Sequence, residues 1–212
     1  MAVPKGLCLL VDIDKSPKLK LVSVDGGALI FPPSTDPTHH REFDAHYINI
    51  NNGTMEVGTE KHPYTSKLTI TMYGEKYDPA VPIYGKKSIG CRFCTLDMHG
   101  VHKMSWTDLD ATIDAGASTL TLVEVVDWEV GDTIMVTSTG YNQWEAELKT
   151  ISAITSDGSK STITIDGSFS HTHHAGVEQL GSLGDTLTIR AEVALMNRNV
   201  LYRGDPETSP VN

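Results

Sequence analysis

The stretch AEVALMNRNVLYRGD, residues 191–205, places a polar triplet between two apolar runs. Alternate residues of Ala191–Leu195 share one face of a predicted strand, and the alternation resumes after the triplet. Asn197 and Asn199 tolerate the left-handed conformation and can hydrogen-bond to nearby backbone, so they permit a sharp bend. The stretch therefore predicts a strand, a corner and a second strand, as in one coil of a β-solenoid.

Strand signals of the same kind recur along the whole chain. Runs rich in β-branched residues end on glycine, because β-branched side chains pack well on a pleated surface and glycine permits the turn that follows. The closing glycines recur at irregular intervals, within the range of about 20–50 residues that stacked repeats show. The sequence predicts an all-β fold, and a section of right-handed parallel β-helix is favoured over a β-sandwich. The runs are Lys18–Phe31, Tyr47–Val57, Leu68–Gly74, Cys94–Gly100, Ser118–Val126, Asp132–Thr137 and Thr162–Gly167.

One segment departs from the strand pattern. SWTDLDATIDAG, residues 105–116, begins with a serine that can act as an N-cap and has Asp108 three positions later, an aspartate version of the capping box. Leu109 and Ile113 are four residues apart and would share one helical face, and the final glycine is a good terminator. The sequence therefore predicts one short α-helix near residues 105–115, which would depend on packing for its stability.

The charge balance argues against several classes of partner. The 212-residue chain has 17 lysines and arginines against 27 aspartates and glutamates, which gives a net charge of −10. Such a surface repels phosphate backbones, so no nucleic acid partner is predicted. No run approaches the roughly 20 apolar residues that cross a bilayer, so no direct membrane insertion is predicted, and the N-terminal residues lack the features of a signal peptide. A polyanionic glycan would also be repelled unless a local basic patch attracted it.

The chain has three cysteines, Cys8, Cys91 and Cys94. The spacing of Cys91 and Cys94 suits redox chemistry or half of a zinc site, but no second cysteine pair completes a zinc site. We therefore expect buried or disulfide-bonded cysteines. No cofactor and no metal centre are predicted.

Several segments, taken in order, carry a resemblance that covers nearly the whole chain. It resembles the eight-glycine (G-eight) domain of the fibrocystin and fibrocystin-like family, which is related to cell-surface hyaluronidase proteins. The family's opening tryptophan is missing here. The chain also ends where the family continues into parallel β-helix repeats. The matching segments are Pro4 and Gly6, LVSVDGGALIF, FDAHYININNGTMEVGTEKHPYTSKLTITMYG, LDMHG, SWTDL, VDWEVGDTIMVTSTGYNQWEAELKTISAI, FSHTHHAGV and AEVALMNRNVLYRGD.

The resemblance implies a domain organisation and a location. It implies a G-eight domain over residues 1–205, with residues 206–212 as a linker or as the start of the following β-helix repeats. It further implies a piece of a much larger protein that is secreted or anchored by a single membrane span. This segment would then lie on the extracellular face of the plasma membrane or be secreted.

The densest group of potential metal ligands is the histidine-rich segment His171-Thr172-His173-His174. On a strand, His171 and His173 would point to one face and could hold a metal ion or take part in catalysis. A metal would need a third ligand from elsewhere in the chain. The alternative, which we favour, is a solvated loop or a structural histidine held by hydrogen bonds.

Two further pairs of titratable residues are candidates for chemistry. Asp97 and His99 would point to one face of a strand, where an acid and an imidazole can act on a glycosidic bond. A solvent-facing pair at the end of a strand is the alternative, and it is favoured here. Glu145 and Glu147 alternate on a predicted strand, which is also typical of a solvated strand face.

Exposed aromatic residues and a sequon are the remaining candidates. Trp106, Tyr141 and Trp144 could form a platform on which sugar rings stack, although such residues more often serve packing or interfaces. Asn52-Gly53-Thr54 is the only N-glycosylation sequon, and its use would require secretion. Without secretion it is an Asn-Gly turn.

The residues and the resemblance together predict a non-catalytic extracellular domain that presents a recognition surface to a glycan or a cell-surface protein. Downstream β-helix repeats of the same chain are expected to contact it. The alternative is part of a hyaluronan- or glycan-depolymerising enzyme of the same family, a hyaluronidase-like hydrolase. A third possibility is a structural spacer that holds distant modules apart.

Overall fold

The chain forms two compact units in the computed structural model. Unit one comprises Met1–His102 together with Arg198–Asn212, and unit two is Lys103–Asn197. The described residues form strands, turns and loops, with one 3₁₀ turn at Gln143–Glu145. The all-β prediction is therefore confirmed. The structure describes residues 1–75, 77–81, 83–181 and 184–207.

Nineteen strands occur among the described residues. Most are short, with three to six residues, and only β14 reaches ten. In chain order they are β1 Ala2–Pro4, β2 Cys8–Leu10, β3 Val22–Asp25, β4 Ala28–Ile30, β5 His40–Ala45, β6 Tyr47–Asn51, β7 Thr54–Val57, β8 Lys67–Met72, β9 Ser88–Arg92, β10 Thr95–Met98, β11 Trp106–Asp108, β12 Thr119–Thr121, β13 Thr133–Val136, β14 Glu147–Ser156, β15 Ser161–Ile165, β16 Ala175–Leu180, β17 Asp185–Arg190, β18 Glu192–Leu195 and β19 Val200–Gly204.

Unit one contains three parallel sheets, with strand orders β1-β3-β6-β9, β2-β4-β7-β10 and β5-β8-β19. Paired strands are never consecutive in the chain, so each connection between them passes through another sheet. Burial alternates along β3 and β7, and Val22 of β3 lies opposite Ile48 of β6, where both are fully buried. Phe31 and Phe43 meet edge to face in the same core, with ring centroids 5.1 Å apart.

Close stacking of successive turns explains two glycines of unit one. A Cβ atom on Gly27 would lie 2.6 Å from the carbonyl oxygen of Pro4, and one on Gly53 would lie 2.8 Å from the carbonyl oxygen of Gly27. Side chains at these positions would therefore overlap the backbone of the neighbouring turn. Glycine is required here because the backbones approach each other, and neither residue has a positive φ.

Unit two is built on a six-stranded antiparallel sheet with the order β11-β18-β13-β14-β15-β12. The sheet curves into a half-barrel, and the chain segments beside its two outermost strands meet at an antiparallel bridge between Leu109 and Leu122. Strands β16 and β17 form a separate antiparallel hairpin. Trp128 is buried in the core of this unit, where its indole N–H donates to the carbonyl oxygen of Met104 at 2.7 Å.

The prediction of a right-handed parallel β-helix through the chain is wrong, because the strands of unit two pair antiparallel. Parallel and antiparallel strands share the side-chain period of two, so alternating apolar residues could not separate them. A local signal was present between β14 and β15, where Asp157 accepts hydrogen bonds from the N–H groups of Ser159 and Lys160, both at 2.8 Å. An Asp-Gly pair of this kind is typical of an antiparallel hairpin.

The predicted short α-helix near residues 105–115 is also absent. Trp106–Asp108 forms β11 and pairs antiparallel with β18. Leu109 and Ile113 are buried, but each reaches the core through an antiparallel bridge rather than on one helical face. A helix this short has a costly nucleus, and hydrogen bonds to neighbouring strands satisfy the same backbone groups.

The polar triplet of residues 197–199 separates two strands, as predicted, but the strands belong to different sheets. In unit two, the side-chain oxygen of Asn197 accepts from the N–H of Thr133. In unit one, the side-chain amide of Asn199 donates to the carbonyl oxygens of Tyr64 and Ser66 at 2.6 and 2.8 Å. Neither asparagine has a positive φ, so the expected left-handed corner is wrong, and both act through hydrogen bonds to distant backbone.

Candidate recognition surface

An exposed apolar row crosses the antiparallel sheet of unit two. Strand register aligns Trp106 of β11 with Ala194 of β18, Met135 of β13 and Leu148 of β14. Neighbouring strands are about 4.8 Å apart, so the row is about 14 Å long. Trp106 is 56% exposed and Leu148 is 62% exposed, and the two residues between them are partly exposed. This row and Met196, which is also exposed, are called the apolar strip below.

Strand alternation explains why the strip points outward. Thr107, Val193 and Val136 are next to strip residues in the chain, and all three are buried on the opposite face of the sheet. Met196 belongs to the outward set because it follows Ala194 by two positions, and its N–H donates to the carbonyl oxygen of Thr133 at 2.9 Å. A packed core on one face therefore holds the strip on the other face in a fixed geometry.

The strip has an acidic border. Asp108 lies opposite Glu192 in the register of β11 and β18, two positions from Trp106 and Ala194, so both carboxylates are on the outward face. Glu192 is exposed and Asp108 is partly exposed. The surface thus combines large apolar side chains with negative charge along one side.

The predicted sugar platform is only partly brought together. Trp106 lies on the sheet, whereas Tyr141 and Trp144 lie in the loop between β13 and β14 and are highly exposed. Trp144 is held in the 3₁₀ turn, where its N–H donates to the side-chain oxygen of Asn142 at 3.1 Å. Among the described ring contacts, none joins these three side chains. Their use as a platform stays a prediction.

The histidine-rich segment is a structural element in which the three side chains have different environments. His173 is fully buried, with Nδ1 2.9 Å from the carbonyl oxygen of Thr137 and Nε2 3.2 Å from Oε1 of Glu147. His171 is exposed, and His174 lies 3.2 Å from Glu178. Within the part of the chain that the structure describes, no group of three or more histidine, cysteine, aspartate or glutamate residues is arranged to hold a metal ion.

Glu147 is the hub that fixes this segment. Its carboxylate accepts hydrogen bonds from the N–H groups of Ser170 and His171 at 2.9 Å, and Lys149 Nζ lies 2.8 Å from it. Burial opposes the negative charge, but Lys149, these two N–H groups and His173 outweigh it and lower the pKa of Glu147 to about 2. The expectation of a solvated strand face is wrong for Glu147, which shares the inward face of β14 with Lys149.

Asp97 and His99 do meet as their spacing suggested. Nε2 of His99 lies 2.7 Å from Oδ1 of Asp97, and both side chains are partly exposed. Strand register also places Glu56 of β7 beside Asp97 of β10. Two carboxylates and an imidazole therefore share one face of a parallel sheet in unit one. Their catalytic use stays a prediction.

The sequon and the three cysteines all lie in unit one. Asn52 is exposed at the turn between β6 and β7, with a φ of 48°. Its N–H donates to the carbonyl oxygen of Arg92 at 3.0 Å. Cys91 and Cys94 form a disulfide bond, which is one of the expected roles, and Cys8 is free and exposed. Glycan attachment at Asn52 stays a prediction.

The apolar strip and the Glu147 hub were missed in the sequence. The alternation in β13 and β14 gave the signal for the strip, because Met135 and Leu148 interrupt the polar face that a half-exposed strand normally shows. For the hub, Glu147 and Lys149 have the correct parity to share a face, but their inward direction depends on the pairing of β13 with β14.

The parallel sheets of unit one and the glycines at their stacked turns define a glycine-dependent all-β domain. The family model described as the G8 domain matches residues 1–110. The chain belongs to the G8 domain family. The expected extent of the domain, residues 1–205, stays a prediction, and most of the expected linker, residues 208–212, lies outside the described residues.

Curated relatives extend the similarity to nearly the whole chain. Fibrocystin-L of Mus musculus is 36% identical over 206 residues, which cover 95% of this chain and 5% of that protein. Fibrocystin of Mus musculus is 30% identical over 212 residues, covering 97% of this chain and 5% of that protein. A G8 domain-containing protein of Dictyostelium discoideum is 26% identical over 96% of this chain and 14% of its own length. The chain thus spans about one-twentieth of the fibrocystin relatives.

Within the described part of the chain, no helix has the length and apolar character needed to cross a bilayer.

Proposed function

We propose that this chain is a non-catalytic, extracellular recognition domain of a fibrocystin-like protein, and that the apolar strip binds a cell-surface protein. The observation that carries the proposal is the exposure of Trp106 and Leu148 on a sheet whose other face is fully packed. Aromatic and methionine side chains are enriched at the centres of protein interfaces, and a few such residues carry most of the binding energy.

Charge indicates the character of the partner. Asp108 and Glu192 border the strip, and the whole chain has a net charge of −10. A partner with an apolar centre and a basic rim would be complementary to this surface, because opposite potentials favour encounter and correct register. The same charges disfavour a polyanionic glycan at the strip.

The double substitution Trp106→Ser and Leu148→Ser, called the strip variant below, should weaken recognition without unfolding the chain. We expect binding of fluorescently labelled chain to intact animal cells to weaken at least about tenfold, because two exposed anchors are lost from the centre of the interface. Trypsin treatment of the cells should remove the binding, whereas glycosidase treatment should leave it. Flow cytometry over a concentration series measures each affinity.

Val130→Ser is the matched control, because Val130 is 62% exposed, as Leu148 is, but lies in a loop outside the sheet. It should bind cells as the unmodified chain does. Equal binding by the strip variant, or binding that survives trypsin, would contradict a protein partner at the strip.

A glycan ligand is a second candidate, favoured by the exposure of Tyr141 and Trp144 in one loop. Stacking of sugar rings on exposed aromatic faces would suit a neutral glycan. A glycan array tests this candidate. Binding of the chain to the array that is lost in Tyr141→Ser and Trp144→Ser, but kept in Trp106→Ser with Leu148→Ser, would favour a glycan over a protein partner.

The enzyme alternative depends on the contact between Asp97 and His99. If it holds, labelled hyaluronan incubated with the chain should lose size, and His99→Ala should prevent that loss. His173→Ala is unsuitable for this test, because the buried His173 side chain lies between Thr137 and Glu147 and its removal would disturb the fold. Unchanged hyaluronan supports the non-catalytic proposal.

Extracellular placement predicts a glycan on Asn52. When the chain is expressed behind a secretion signal in animal cells, we expect reduced electrophoretic mobility that peptide N-glycosidase reverses, because the sequon lies in an exposed turn. Thr54→Val should abolish the shift while it keeps Asn52 and a β-branched residue in β7. A secreted chain of unmodified mobility would contradict the prediction.

A further inference from the structure

A cleft of about 790 Å³ opens in unit one, and Asn52, Asp97 and His99 are not among the residues that line it. It lies between the segment around Lys20, the start of β6 and the loop of residues 78–81. Its volume falls in the range of about 300–1,000 Å³ that is typical of small-molecule sites. His46, Tyr47 and Asn49 line it together with two lysines.

The walls of the cleft are fixed by hydrogen bonds. The hydroxyl of the buried Tyr47 donates to the carbonyl oxygen of Pro79, which ties the loop to β6. Val81 and Gly85 exchange backbone hydrogen bonds of 2.8 and 3.0 Å at the end of the loop. The cleft is therefore formed before a ligand arrives, as most small-molecule sites are.

The cleft is locally basic in an acidic protein. Lys18 and Lys20 both line it, and neither takes part in the ion pairs found among the described residues. Lys18 Nζ lies 3.9 Å from the ring centroid of Tyr73, which holds the ammonium group in place. Among the described residues that line the cleft, Asp78 is the one carboxylate; it accepts from the N–H of Glu75 at 2.7 Å and keeps its charge, so the two lysines exceed it by one positive charge. Two ammonium groups are thus available to an anion.

Asn49 adds a side-chain amide to the lining of the cleft. Its Oδ1 atom is buried and accepts no hydrogen bond among the described residues. The neighbours of Asn49 in the sheet are Ser23 and Gly90, and Gly90 has no side chain that could bond to Oδ1. That oxygen is closed to a ligand, whereas the partly exposed Asn49 side chain can donate an amide N–H to a ligand oxygen.

We propose that this cleft binds a single acidic sugar, a hydroxylated ring that carries one carboxylate. The carboxylate pairs with Lys18 and Lys20, a ring hydroxyl accepts a hydrogen bond from the Asn49 amide, and the apolar ring face lies against Tyr47. A long polyanion is excluded, because the net charge of −10 repels it beyond the cleft. The site is in unit one and does not depend on the apolar strip of unit two.

Calorimetric titration of the intact chain with glucuronate, N-acetylneuraminate and glucose tests the proposal. We expect saturable binding of at least one acid, none of glucose, and weaker binding at higher salt. Lys18→Gln with Lys20→Gln should raise the Kd by about fivefold or more. Lys61→Gln with Lys67→Gln makes the same charge change at exposed positions outside the cleft, and should leave the Kd unchanged.

Asn49→Ala separates a built site from general attraction to positive charge. It keeps both lysines, so a loss of affinity for the acid identifies the cleft, whereas an unchanged Kd contradicts the role of Asn49. Equal loss in both lysine pairs, equal binding of glucose, or no saturable binding overturns the proposal. The Trp106→Ser and Leu148→Ser variant should bind the acid normally, so failure of this site is distinct from failure of the strip.

Discussion

Gly58→Ala should lower the free energy of unfolding of unit one by about 3 kcal/mol or more. Gly58 has a φ of +71°, and a Cβ atom there would lie 2.3 Å from the backbone nitrogen of Tyr64 and 2.6 Å from the carbonyl oxygen of His99. That nitrogen and that oxygen form a 2.7 Å hydrogen bond. The added methyl group therefore combines an unfavourable backbone conformation with displacement of two neighbouring segments.

Gly6→Ala separates the cost of the backbone conformation from the cost of the close contact. Gly6 has a φ of +78°, but among the described residues no atom lies within 4 Å of the position that a Cβ atom would take there. Its substitution should cost only the conformational penalty, about 1 kcal/mol. Hydrogen exchange of β7, β8 and β10 measures the stability of unit one directly, which is necessary because all three tryptophans lie in unit two. Equal protection in the two variants would show that the close contact at Gly58 is relieved without strain.

The sequence predicted where strands occur but not how they pair. Val22 and Ile48 in unit one and Val193 and Val136 in unit two follow the same alternation, yet the first pair is parallel and the second antiparallel. Pairing depends on the path of the connections, and only tight turns such as the one at Asp157 reveal it locally. The antiparallel half-barrel could therefore not be derived from periodicity.

The site residues show the same division between local and non-local information. Asp97 lies in β10 and His99 directly follows that strand, so their spacing alone predicted that they share a face, and there they are 2.7 Å apart. The environment of His173 depends on Thr137 and Glu147, which are 36 and 26 residues away in the chain. The spacing of the histidines carried no information about these distant partners. The hypothesis of a metal ligand considered only that spacing, so it missed them.

Glu147→Gln should lower the free energy of unfolding of unit two by about 3 kcal/mol. Donors surround the Glu147 carboxylate, and the amide group of glutamine would present one of its own donors to them. Lys149 and His173 would also lose their negative partner while they remain buried. Urea unfolding followed by tryptophan fluorescence reports on this unit, since Trp128 lies in its core.

The loss of unfolding free energy in Glu147→Gln should depend on pH, in a direction set by the lowered pKa of Glu147. The folded-state pKa of Glu147 is about 2, against an ordinary value of 4.5. Its stabilising effect, about 3 kcal/mol, is therefore fully present above pH 4.5 and is lost as the pH falls towards 2. The difference in stability between the unmodified chain and Glu147→Gln should shrink over the same interval.

Two comparisons isolate Glu147 from other acidic groups. The pKa of Asp157 is also lowered to about 2, chiefly by the N–H groups of Ser159 and Lys160, so the unmodified chain and Glu147→Gln both lose stability in acid from that source. The difference in stability between these two proteins removes the shared loss.

Glu145→Gln, in the adjacent 3₁₀ turn, should change the unfolding free energy little at any pH, because the ion pairs among the described residues do not include Glu145. A difference between Glu147→Gln and the unmodified chain that stays constant from pH 5 to pH 2 would mean that Glu147 acts through packing, because only a charged carboxylate loses its contribution on protonation.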